Sequence, residues 1–151
     1  MKHRLYQPRQ RALPICAHYM GLRSLFPQGV IRCMADRISW EGMLKPTPDS
    51  RTYHVRMDYT LGNSPHVRIL SPDLHHLAGS RKLPHTYKQA EKRICLYYPD
   101  GRLWRPQMSL AVTVMTWTLA WLVFFELWLM TDIWYGRGKG HPGDDSTCHN
   151  F

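Results

Sequence analysis

Residues 81–106 read RKLPHTYKQAEKRICLYYPDGRLWRP, and this mostly polar stretch holds one histidine, His85, one cysteine, Cys95, and one tryptophan, Trp104. Cys95 carries the most chemistry. A thiolate is a good nucleophile, and the thioester it forms on accepting an acyl group is activated toward an amine. An unperturbed thiol titrates at about 8.5, so only a small fraction is ionised at neutral pH. Lys88, Lys92 and Arg93 are close in sequence and favour the thiolate. The opposing reading is a buried cysteine that packs as a small hydrophobe. A zinc site can also be imagined from His75, His76, His85 and Cys95, but no pair among them has the usual short ligand spacing, and no metal is expected.

The flanking elements must hold this stretch in place. From Gln10 to Phe26, Leu13, Cys16, Ala17, Met20 and Leu25 recur at roughly helical spacing, with Pro14 in the first turn and Phe26-Pro27 as the stop. RISWEGML (37–44) precedes the turn-rich KPTPDS. In RTYHVRMDYT, Tyr53, Val55, Met57 and Tyr59 alternate with polar residues, the mark of a strand with one buried face. LGNS supplies a turn, and PHVRILSP gives a third strand. Three short strands with tight connections imply an antiparallel meander. Residues 73–92 read as a long ordered loop. After Trp104-Arg105-Pro106, the apolar run 109–134 reads as helical, with Ser109 as its cap. Pro106 is expected to start this segment, Trp104 to pack beneath the loop and Arg105 to lie on the surface.

Bulk properties bound the function. The 151 residues carry a formal net charge of +9, from 20 Lys and Arg against 11 Asp and Glu. Such an excess favours an acidic partner, but the basic residues are scattered rather than clustered, and no nucleic acid is expected. Cys16, Cys33, Cys95 and Cys148 match no metal-binding spacing and are expected to be reduced thiols in a cytoplasm. The basic start lacks a clean apolar core, so no signal peptide is expected. The domain is expected to span 1–135, with a flexible glycine-rich tail over 136–151. Residues 109–130 are long and apolar enough to suggest a membrane span, but Glu126 and three threonines interrupt them, and a small sheet needs an apolar partner. A core helix is therefore the favoured reading.

Helix, meander, cysteine-bearing loop, apolar helix: this order resembles the α+β fold of ubiquitin-conjugating enzymes. SPHVRILSP looks like the proline-flanked strand that in that family leads to a histidine-proline-asparagine motif. The family's cysteine lies ten residues beyond the motif histidine, as Cys95 lies ten beyond His85, and RICL is similar to its context. The family's tryptophan-arginine-proline then precedes an apolar helix, as WRPQMSL does here. The likeness covers roughly residues 10–130. WEGML, PTP, Ser50 and Thr52-Tyr53 further resemble short stand-alone bacterial conjugating enzymes, including those of CBASS-type antiphage operons beside a cyclic-nucleotide synthase.

The resemblance implies an antiviral cysteine acyltransferase without a cofactor. Cys95 would be the nucleophile and His85 the histidine that organises the loop. Its implied partners are an adenylating (activating) enzyme, a ubiquitin-like protein or other protein with an activated C-terminus, and an acceptor, with a cyclic-nucleotide synthase as the candidate. One departure stands out: where the family has histidine-proline-asparagine, this chain has His85-Thr86-Tyr87. Tyr87, Thr86 or a backbone N–H would then have to serve the oxyanion in place of the asparagine amide. Asp100 could orient or deprotonate an incoming lysine, although the Pro99-Asp100-Gly101 turn explains that sequence equally well. Two alternatives remain: an inactive binding module of the same fold, and a small membrane-anchored basic protein.

Overall fold

β3 (Tyr53–Thr60) is the centre of the molecule because every second side chain on it is buried: Tyr53, Val55, Met57 and Tyr59 are each at most 2% exposed. Each such side chain contributes roughly 1.5–3 kcal/mol of burial free energy. The computed structural model describes residues 11–86, 92–94, 96 and 104–136. Before β3 come α1 (Ile15–Leu25), β1 (Val30–Cys33) and β2 (Arg37–Leu44); after it come β4 (His66–Ser71), α2 (Leu74–Ala78) and α3 (Val114–Thr131). Among the described residues the strands form one antiparallel sheet in the order β1-β2-β3-β4. Ile38, Trp40 and Leu44 of β2 and Val67 and Ile69 of β4 are buried with the β3 residues, and α1 and α3 supply the other core side chains.

The chain is thus α+β, with an N-terminal helix, an antiparallel meander and an apolar C-terminal helix, as expected. Several details differ. The meander has a fourth strand, β1, which periodicity could not reveal because it is four residues long and only Ile31 is half-buried. The expected loop over 73–92 contains α2, a single turn whose start is capped by Asp73, with Leu74 and Ala78 buried. Ser109 does not cap α3. Its carbonyl instead accepts from Thr113 N at 3.0 Å and Thr113 Oγ1 at 2.6 Å, forming the turn that precedes a helix starting at Val114. Pro106 lies in a separate turn, closed by Met108 N donating to the Arg105 carbonyl at 2.9 Å, rather than in a helix, and α3 stops at Thr131, three residues short of the end of the apolar run. The tail expected over 136–151 lies almost wholly outside the described residues.

Glu126, the charge inside the apolar run, has a structural account. Its carboxylate accepts from Ser50 Oγ at 2.7 Å, Tyr53 Oη at 2.9 Å and Arg51 N at 3.1 Å. Burial, and then the bond to Glu126, push the Tyr53 phenol far above its usual range, so it stays a donor. α3 is the one helix among the described residues long and apolar enough to cross a membrane. Its Val114, Met115, Thr118, Leu122, Phe125 and Trp128 are instead buried within the protein.

In β2, Trp40 is fully buried and donates from Nε1 to the Phe26 carbonyl at 3.0 Å. Gly29 lies against its ring so closely that a Cβ there would come within 2.1 Å. This contact sets the turn from α1 into β1. On the outer face of the sheet, Arg56 pairs with Asp58 at 3.0 Å and Glu41 at 3.3 Å, and Arg68 with Asp58 at 3.4 Å. Part of the basic excess is therefore neutralised locally.

Candidate active site

The chain returns to the sheet just before Cys95. Ile94 N donates to the Val67 carbonyl at 3.0 Å, Ile69 N donates to the Lys92 carbonyl at 3.3 Å, and Arg93 bridges Arg68. Residues 92–94 thereby occupy the outer edge of β4. Ile94, 2% exposed, enters the core, and Leu96 packs half-buried against it. A second bridge pairs Ile94 with Thr86 and sets the His85 turn beside the segment leading to Cys95. Spacing in the sequence becomes adjacency in space at this bridge.

Several contacts hold the His85 turn. Leu83 and Thr86 are buried, and Thr86 Oγ1 donates to the Leu83 carbonyl at 3.5 Å. That orientation argues against Thr86 as the oxyanion donor. His85 is half-buried with φ 45°, in the left-handed region where non-glycine residues are uncommon but histidine is enriched. Burial lowers the pKa of its imidazole, which favours the neutral ring. Trp121 Nε1 donates to the His85 carbonyl at 3.2 Å. Four residues earlier, the Arg81 guanidinium sits 4.4 Å over the Trp128 ring, donates to the carbonyls of Trp128 and Leu129, and pairs with Asp132. A cation bound to the last carbonyls of α3 complements the negative end of the helix dipole.

Lys92 Nζ lies 3.1 Å from Asp73 Oδ1, which also accepts from the backbone of His75 and His76. Lys92 holds the Asp73 carboxyl below its usual range. The charge expected to favour the Cys95 thiolate is thus shared with a carboxylate. Trp104 is half-buried, its ring edge-on to Tyr59 at 5.1 Å, and Arg105 is exposed. Behind Tyr59, His18 is fully buried with its ring 5.3 Å away and its Nδ1 accepting from Leu110 N at 3.3 Å. Trp104 also lines a small cleft with Ile94, Leu96, Val114 and Trp117, whose volume of about 30 Å³ holds about one water.

Of the residues singled out in the sequence, His85 is placed beside the 92–94 segment, whereas Cys95, Tyr87 and Asp100 lie outside the described residues. Among the described residues no three His, Cys, Asp or Glu side chains converge in a way that could hold a metal ion. Sequence reasoning missed Arg81, Trp121 and Asp73, which hold the turn and the returning segment. Their one sequence signal was the Asp73 cap ahead of Leu74.

No curated protein matches the chain. Residues 18–142 match the family model described as Type II CBASS E2 protein, a span that contains the sheet, the His85 turn, Cys95 and α3.

Proposed function

Because the chain belongs to the Type II CBASS E2 protein family, we propose that it is a ubiquitin-conjugating-like transferase of antiphage signalling with Cys95 as its nucleophile. The Cys95 thiolate attacks the carbonyl carbon of a protein C-terminus held as a thioester on an activating enzyme. A new C–S bond forms, and the activating enzyme's thiolate leaves. An amine of the acceptor then attacks the same carbon. The amide bond forms, the C–S bond to Cys95 breaks, and the proton lost by the amine balances the departing thiolate. His85 organises the loop, and Tyr87 is the side chain available to donate to the oxyanion where the usual asparagine is absent. Asp100 stands close in sequence to receive the amine proton. The activating enzyme, the carried protein and the acceptor belong to the same operon, with a cyclic-nucleotide synthase as the modified protein. The reaction takes place in the cytoplasm, where Cys95 stays reduced.

The observation that carries this reading is the family match across residues 18–142, which includes the cysteine ten residues after His85. The test mixes the purified chain with the activating enzyme and the carried protein encoded beside it. An adduct that thiol reductant removes is expected, and Cys95→Ala should abolish it. Cys95→Ser should leave a reductant-resistant ester. An adduct unchanged in Cys95→Ala would end the proposal. Absence of any adduct in the wild type would favour the inactive binding module.

A further inference from the structure

After α3 the chain turns back on itself. Asp132 takes a left-handed φ of 61° and is held by Arg81, and Ile133 N donates to Thr131 Oγ1 at 3.2 Å. This reversal carries Trp134 back along the helix. Its ring lies 5.6 Å from Trp121 and 5.9 Å from Phe124, and 4.8 Å from the His85 ring at a tilt of 31°. Gly136 closes over the indole: a Cβ at that position would come within 2.7 Å of Trp134 Nε1 and 2.8 Å of Phe124. The sequence suggests none of this, because residues 132–134 read as the end of an apolar run.

We infer that Trp134 is a positioning residue for transfer at Cys95, its indole holding His85 in the turn that bridges to the segment before the nucleophile. Two contacts from the C-terminal part of the chain act on one residue. Trp121 fixes the His85 carbonyl through a single N–H, and Trp134 covers the imidazole. The next residue, Thr86, bridges Ile94, which immediately precedes Cys95. Without the indole, a left-handed histidine has less to keep it in that conformation, and the bridge to Ile94 loosens with it. Small displacements at a reacting group cost rate far more than they cost affinity. The inference rests on the transferase reading above and assigns to it a residue outside the cysteine loop.

The test uses the full chain as Trp134→Ala and Trp134→Phe, with Trp121→Phe as a second probe that keeps an aromatic ring, though a smaller one, and removes the N–H donor. One readout needs no partner: NMR titration of the His85 imidazole, whose midpoint should rise toward its ordinary value of 6.5 in Trp134→Ala and stay near that of the wild type in Trp134→Phe. The other is discharge of the Cys95 thioester to an amine. Trp134→Ala should lower its maximal rate about tenfold with little change in the KM for loading, and Trp134→Phe should restore most of it. Trp121→Phe should fall between them. Discharge in Trp134→Ala equal to that of an active wild type overturns the inference. A wild type that never loads ends the transferase reading instead, and the His85 titration separates the two failures because it reads the clasp without the reaction.

Discussion

Two of the ties between the α3 region and the rest of the molecule are of different kinds. On one side Glu126 meets three donors from the chain entering β3, at 2.7, 2.9 and 3.1 Å. On the other, Trp121 and Trp134 meet the His85 turn through one N–H and one ring contact. The first tie is directional, and breaking it takes away the acceptor of the hydroxyl on buried Tyr53. The second is mostly dispersion and shape, so it tolerates small movements. A carboxylate with three donors suits a fixed scaffold. Under the proposed transferase function, an aromatic clasp suits a turn that must stay in place while partners come and go.

Substitutions on the two sides should therefore separate stability from activity. The largest effect is expected on the loop side. Tyr87→Phe should slow amine discharge by about 2.7–4 kcal/mol, or roughly 100-fold and more, while thioester loading stays normal. Equal discharge rates in single-turnover assays would assign the oxyanion to a backbone N–H instead. On the scaffold side, Glu126→Ala should lower the unfolding free energy by about 2–4 kcal/mol in urea titrations near neutral pH. Its transfer rate well below the unfolding midpoint should stay close to that of the wild type, and a tenfold loss there would erase the contrast between the ties. Gly29→Ala, whose Cβ must displace the Trp40 ring, should cost about 1–3 kcal/mol in the same titration, again without touching discharge.

The smallest effect is the most specific. Burial lowers the His18 pKa, so the unfolded chain binds the proton more readily than the folded one. The sign follows: stability is full above the ordinary value of 6.5 and falls as pH drops below it toward the folded-state value. Protonation would also remove the lone pair that accepts from Leu110 N. His18→Asn keeps an acceptor and cannot titrate. Its unfolding free energy should flatten between about pH 6.5 and 5 by up to 1.36 kcal/mol per pH unit relative to the wild type. Parallel slopes for the two proteins would show that other groups set the acid response.

Much of the scaffold was legible because its chemistry is periodic. The alternation of Tyr53, Val55, Met57 and Tyr59 announces β3 and its buried face, and the apolar run announces a core helix. The limits of α3 were not legible, since the turn at 109–113 is as apolar as the helix that follows it and Ile133 and Trp134 continue the apolar pattern past its end. β1 is too short and too exposed to show a pattern. For the site, the interval between His85 and Cys95 carried the reading. Trp134 could not be connected with His85 because the contact depends on a chain reversal after Asp132, and no local propensity encodes where a reversed segment lands.

The placement of residues 92–94 along β4 has a consequence for assembly. An unpaired strand edge is where other polypeptides add themselves by backbone pairing, in signalling complexes and in fibres alike. Here the stretch leading to Cys95 fills that edge, so an intruding strand would have to evict it. Strand addition along β4 therefore competes with residues 92–94 for the same backbone groups, which leaves the short β1 margin as the side open to strand addition among the described residues.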